Sequence, residues 1–172
     1  MITIIIIVIT SLISIRAFKD SELMSRLIFH PPAVKQGNGY RLFTYGVVHA
    51  DYTHLIFNMF TLYFFGPNIE RTFKSVLGQT SGSAFFILLY LSALLVSIIP
   101  TYFKKKDNAS YYSLGASGAV SAIIFAFVLI NPMNYMGVLF IPIMLPAFLF
   151  GLIFIIISMS LDKKQLGGIN HS

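Results

Sequence analysis

The chain has 172 residues, of which 56% are hydrophobic and only 10% charged. Soluble domains carry about 45–50% apolar and roughly 25% charged residues, so a water-facing globular surface is excluded. The absence of cysteine excludes disulfide scaffolds, thiolate metal ligands and a thiolate nucleophile. The net charge of +6 falls in short polar stretches between apolar runs, which suits lipid headgroups and not nucleic acid.

The gaps between charges give the expected elements in chain order. Residues 1–15 are uncharged and end at Arg16, a first span on the short side. From Arg16 to Asp51 runs the main hydrophilic stretch, in which Pro31-Pro32 and Gly37-Asn38-Gly39 break any long helix. Residues 52–69, between Asp51 and Glu70, predict a second span, and 83–103 a third. Residues 108–161 carry no charge and are too many for one helix, and Asn131-Pro132-Met133-Asn134 is a turn signal within them. A fourth span is expected near 114–130 and a fifth near 136–161, kinked at Pro142 and Pro146. The fold class expected is all-α, a polytopic transmembrane helical bundle in a single domain over 1–172, because lipid leaves backbone groups no other partner.

Polar groups inside such spans point to function. His54 and Asn58 are four apart and share one helix face. They read either as interhelical hydrogen-bonding glue or as donors facing a cavity. Gly115-Ala116-Ser117-Gly118 opens the fourth span and reads either as small-residue packing or as an exposed nucleophile at a helix N-terminus. In the second reading free N–H groups and the dipole stabilise an oxyanion, and the glycines admit a substrate backbone. A span of 114–130 is about 25 Å long against a hydrocarbon core of about 30 Å, so Ser117 can lie below the surface in reach of water. Running down span two, up span three and into span four returns the chain to one face. His54, Asn58 and Ser117 are therefore expected at similar depth, with the 16–51 stretch able to cover them. A metal centre from His49, Asp51 and His54 fits poorly, because a helical zinc pair wants a spacing of four with a glutamate between. His30 reads as a loop residue.

These residues together resemble the rhomboid family of intramembrane serine proteases. The resemblance runs over nearly the whole chain, from Arg41 and His49 through His54-x-x-x-Asn58, Gly66 and Glu70 to Gly115-Ala116-Ser117-Gly118. It implies a protease that cuts transmembrane segments of membrane-protein substrates with a Ser–His dyad and no cofactor or metal. Ser117 carries over as nucleophile. His54, Asn58 and the Ser117 N–H carry over as the oxyanion hole, and Arg41, His49, Gly66, Glu70, Gly115 and Gly118 as structural residues. The family's base lies on a sixth helix in an A-H-x-x-G pattern. The run Gly168-Ile169-Asn170-His171-Ser172 looks like the lead-in to it, which implies a fragment with five of six spans and the base just past Ser172. His171 is the base candidate within the chain. Two further departures stand out. Ser121 occupies a position where the family often has an aromatic under the base. Ten of the twelve Lys and Arg (in 16–41, 104–106 and 163–164) fall on the serine side, with Arg71 and Lys74 opposite, whereas the family's bacterial members usually open the serine outward and the positive-inside rule favours the reverse. The expected setting is a multi-pass protein of the bacterial plasma membrane. The alternative is a catalytically inactive rhomboid-like protein that binds or chaperones transmembrane segments. No inverted repeats or paired half-helices suggest a transporter.

Overall fold

A computed structural model describes residues 1–138 and 141–153. They are mostly helical and fall into two compact units divided after Ile123. In the first unit, α1 (Ile2–Ala17) leads into three short helices of the covering loop, α2 (Ser21–Leu27), α3 (Pro31–Lys35) and α4 (Arg41–Thr44). A 3-10 turn (Tyr45–Val47) precedes α5 (Tyr52–Leu77) and α6 (Gln79–Lys105), and α7 (Ser117–Ile130) starts after a loop. Pro31 and Pro32 do not merely interrupt a helix. They open α3, where a missing N–H and a fixed φ are favourable.

The expected second and third spans are both helical and both longer than the charge gaps. α5 continues through Glu70, Arg71 and Lys74, and α6 includes the polar start Gln79–Gly82. One residue separates them. Gly78 has φ +83°, a conformation side chains rarely adopt, and it turns the chain back so that α5 and α6 run antiparallel. Among the described residues, α6 is the one helix both long and apolar enough to cross a membrane, with mean hydropathy 2.3 over its best window. α1 and α7 are apolar but shorter, at 16 and 14 residues.

α1 is built inside out. Its buried positions are Thr3, Thr10, Ser14 and Ala17, while Ile5, Val8, Ile9 and Leu12 are exposed. In water this arrangement would expose hydrocarbon to no purpose, whereas in lipid small polar residues allow close helix contact and isoleucines face acyl chains. Thr3 sits against Gly66 of α5, where a methyl group would collide with its side chain. One turn on, the fully buried Glu70 carboxylate accepts from Ile2 N–H (2.9 Å), Thr3 N–H (2.9 Å), Thr3 Oγ1 (2.8 Å) and Lys74 Nζ (2.6 Å). A carboxylate from α5 thus satisfies the first orphan donors of α1 and meets the positive end of its dipole.

The second unit corrects an expectation. The residues assigned to the first half of a fifth helical span form an antiparallel pair instead, β1 (Tyr135–Val138) with β2 (Ile141–Pro146). Tyr135 faces Pro146, Met136 faces Leu145 and Gly137 faces Met144, with an irregularity between Gly137 and Val138. Two prolines four residues apart, each lacking an N–H and each clashing with the preceding turn, break a helix here and do not merely kink it. In a two-stranded ribbon every strand has a free edge, so proline is tolerated. Helical structure resumes at residues 147–153. The remainder of the expected fifth span and His171 lie outside the described residues.

The Glu70 arrangement yields a stability prediction. Removing one partner of a buried charged cluster strands the others, so Glu70→Ala should cost about 3–5 kcal/mol. Thr3→Val removes one hydroxyl and should cost about 1 kcal/mol. Unfolding of the purified full-length protein in detergent measures both, and equal losses from the two variants would contradict the arrangement.

Candidate active site

Ser117 is the first residue of α7 and is exposed. The helix begins three residues later than the charge-free run suggested, and the reason is Gly115. Its φ of +112° is incompatible with a helix and with almost any side chain. A methyl on Gly115 would also lie 2.6 Å from Cε1 and 3.0 Å from Nε2 of His54. Glycine is required here because the His54 ring occupies the space where a side chain would stand. The sequence predicts glycines that admit a substrate backbone, and Gly115 also makes room for the His54 ring. Gly118, likewise, is where α7 meets α6, since a methyl there would collide with Ser97.

The residues ahead of Ser117 are held by backbone donors. Ser113 and Phe29 exchange two hydrogen bonds, at 2.9 and 3.1 Å, joining this loop to the covering segment. Gly115 N–H donates to Tyr45 O at 2.9 Å, and Ala116 N–H donates to His49 Nε2 at 3.4 Å. Within α7 the first bond runs from Val120 N–H to Ala116 O (3.0 Å), which leaves Ser117, Gly118 and Ala119 N–H without intrahelical acceptors. Three donors at an exposed serine are a ready electrostatic partner for an anion.

His49 is fully buried, and its partners define its state. Nε2 accepts from Ala116, so Nδ1 carries the proton and donates to Ser14 Oγ at 3.0 Å. The Ser14 hydroxyl in turn donates a hydrogen bond to Val47 O at 2.9 Å. Burial first, and then the neighbouring His54 ring 5.0 Å away, lower the His49 pKa from 6.5 to about 4, with Asp51 acting weakly the other way. His49 thus links α1, the covering segment and the serine loop. Its structural role could not be read from spacing, because Ser14 and Ala116 are 35 and 67 residues away from it.

His54 and Asn58 share a face of α5 as expected, one half-buried and the other buried. The Asn58 amide donates to His54 O at 2.9 Å, which leaves its second N–H. Asp51 serves as N-cap of α5, accepting from His54 N–H at 2.7 Å. Its carboxylate is therefore engaged in starting the helix that presents His54. Arg41 Nη1 donates to Ser25 O (2.8 Å) and Ile28 O (2.7 Å), closing the end of α2 in the covering segment. Ser121 lies half-buried one turn beyond Ser117. Two residues without any sequence signal complete the support. Buried Tyr45 sends its hydroxyl to Leu94 O (2.7 Å) and lies 3.0 Å from Ser97 Oγ, beneath the helix start that Gly118 allows.

The family model of the rhomboid domain matches residues 36–171. The chain belongs to the rhomboid family. Members of this family are membrane proteins, and the inside-out packing of α1 accords with that. Relatives include the mitochondrial RHOMBOID-like protein 12 of Arabidopsis thaliana, 28% identical over 91% of this chain and 49% of the relative. The putative rhomboid protease YdcA of Bacillus subtilis is 34% identical over 51% of this chain and 39% of its own length. Presenilin-associated rhomboid-like protein of rat mitochondria is 31% identical over 55% of this chain and 23% of its own length. The chain spans about half or less of the length of these curated relatives.

The neutral His49 has a consequence for pH. Between about 4 and 6.5 the unfolded chain binds a proton that the folded chain refuses, so stability rises with pH across that window. His49's contribution is complete above 6.5 and is lost as pH falls toward 4. Thermal unfolding of wild type and His49→Asn at pH 5 and pH 7.5 tests this. The wild type should lose more stability than the variant on acidification, and parallel losses would remove His49 as the titrating group.

Proposed function

We propose that the full-length protein is an intramembrane serine endopeptidase that cleaves transmembrane segments of membrane-protein substrates. The observation that carries the reading is an exposed serine at a helix start, with free N–H groups behind it and the His54 ring against its loop. Ser117 Oγ attacks the scissile carbonyl and gives its proton to a histidine base. His171 is the candidate for that base within the chain. The oxyanion is met by Ser117 N–H, by His54 and by the remaining N–H of Asn58. Nucleophile and base come from side chains, so no cofactor enters the step. Water for deacylation arrives from the polar face on which Ser117 opens. Membership of the family and relatives named as rhomboid proteases support the assignment.

The second reading is a rhomboid-like protein that binds transmembrane segments without cutting them. One relative, matched over 91% of this chain, is named RHOMBOID-like and not as a protease.

The two readings separate on a reporter transmembrane substrate reconstituted with the full-length protein. A protease loses cleavage in Ser117→Ala. His54→Ala and Asn58→Ala should each lower turnover about 10²–10³-fold with little change in KM, because they bind charge that exists only in the transition state. Cleavage that survives Ser117→Ala overturns the proposal. Loss of stability with turnover per folded molecule preserved would return His54 and Asn58 to packing.

A further inference from the structure

The charge that the catalytic reading leaves unused is concentrated at one end of the first unit. α5 and α6 turn at Gly78, so the start of α5, the end of α6 and the start of α7 share that end. Ser14 of α1 and Phe18 just past its end meet His49 and Tyr52 there, which brings the covering segment to the same end. Arg16, Lys19, Arg26, Lys35 and Arg41 lie in or beside that segment. Lys104, Lys105 and Lys106 close α6. Only Arg71 and Lys74 mark the opposite end among the described residues.

Most of the covering segment's charge is already matched. Arg16 pairs with Asp20, Arg26 with Glu22 and Lys35 with Asp107 at 2.6 Å, while the Arg41 guanidinium closes α2. The Lys35 hydrogen bond holds the Asp107 carboxyl below its usual range and raises the lysine in turn. That engagement leaves Lys104, Lys105 and Lys106 without an ion pair among the described residues, with Lys104 and Lys106 exposed. Large aromatic side chains flank them. Phe103 is 67% and Tyr112 55% exposed, and Lys105 lies 5.7 Å from the centre of the Tyr111 ring. Lysines interleaved with exposed Tyr and Phe, at the end of an apolar helix of membrane-crossing length, make up the composition of a bilayer interface.

We infer that Phe103–Tyr112 is a docking surface for anionic phospholipid headgroups, with Lys104, Lys105 and Lys106 taking the phosphates and Phe103 and Tyr112 seated at the headgroup level. The same segment runs into the serine loop. His30 stacks on Tyr112 at 4.7 Å and reaches Ala109 O at 3.1 Å, Ser113 is bridged to Phe29, and Gly115 and Ala116 are held from Tyr45 and His49. A headgroup bound at the lysines therefore sets the depth of Ser117 through a chain of fixed contacts. An acidic juxtamembrane segment of a substrate offers the same charge. The flanking exposed aromatics favour lipid, since they need a partly apolar layer and not a soluble acidic strand.

The test uses the Ser117→Ala full-length protein, so it does not depend on catalysis and its failure is separate from that of the protease reading. The protein is placed in mixed phosphatidylcholine and phosphatidylglycerol nanodiscs, and the lipids retained after mild extraction are counted by native mass spectrometry. About fivefold enrichment of phosphatidylglycerol is expected per well-placed lysine at low salt, falling as salt is raised. Replacing all three lysines by Gln should abolish the enrichment, and replacing them by Arg should preserve it, with thermal unfolding reporting that both variants fold. Enrichment unchanged by the Gln variant overturns the inference. Displacement of the lipid by inorganic phosphate at equal concentration would reassign the patch to free anions. Enrichment unchanged while an acidic-flanked peptide binds more weakly to the Gln variant would reassign it to substrate. Either reassignment defeats the lipid proposal.

Discussion

The structure around Ser117 depends on a short loop that has no freedom left. Ser113, Gly115 and Ala116 give their N–H groups to Phe29, Tyr45 and His49, and Gly115 adopts a backbone conformation that glycine alone tolerates well. Each of those acceptors is itself held. Phe29 and His49 are fully buried, Tyr45 is nearly so and ties to α6, and His49 ties to Ser14 of α1. An exposed serine would otherwise sit on a mobile connection between two apolar helices. Here its backbone is fixed from three directions before any substrate arrives. Such preorganisation is what makes donors effective at a developing charge, because no reorganisation energy is spent at the moment of reaction.

Helix packing supplies the frame on which this loop hangs. α1 presents hydroxyls and an alanine inward and isoleucines outward, and its start is held by the buried Glu70 carboxylate. Those contacts fix α1 against α5 at one end, while Ser14 and His49 fix it at the other. His54 and Asn58 of α5 therefore lie between two buried polar ties, Ser14–His49 ahead of them and the Glu70 cluster beyond. Hydrocarbon around the helices provides little direction to their association, so small residues and buried hydrogen bonds carry the specificity.

Much of this was legible in the chain. Uncharged runs bounded by Asp51, Glu70 and Lys104 located α5 and α6, and the His54–Asn58 spacing correctly put both on one face. The return of the chain to one end put Ser117 near them. What was not legible came from partners far apart in sequence. Nothing about Ser14, Tyr45 or Ser97 marks them locally, since a lone hydroxyl in an apolar run gains meaning only from what packs opposite. The late start of α7 follows from the His54 ring against Gly115, a tertiary contact that a count of charge-free residues ignores. The pair β1–β2 stands where a helical span is expected because apolar composition persists through it, and the prolines there end helical structure where the sequence predicts only a kink. Periodicity and hydropathy locate apolar segments, but they say little about which of these is helical once prolines intervene.

The central claim is that Ser117 is the proposed nucleophile and that its loop, held in one conformation against His54, positions it for attack. Covalent labelling of the full-length protein with a fluorophosphonate reads this directly, by mass spectrometry of the peptide bearing Ser117. The account predicts labelling of Ser117 in the wild type and its loss in a folded Gly115→Ala variant, whose added methyl must displace the His54 ring and the loop together. Equal labelling of both proteins, or no label on Ser117 in the wild type, would contradict it.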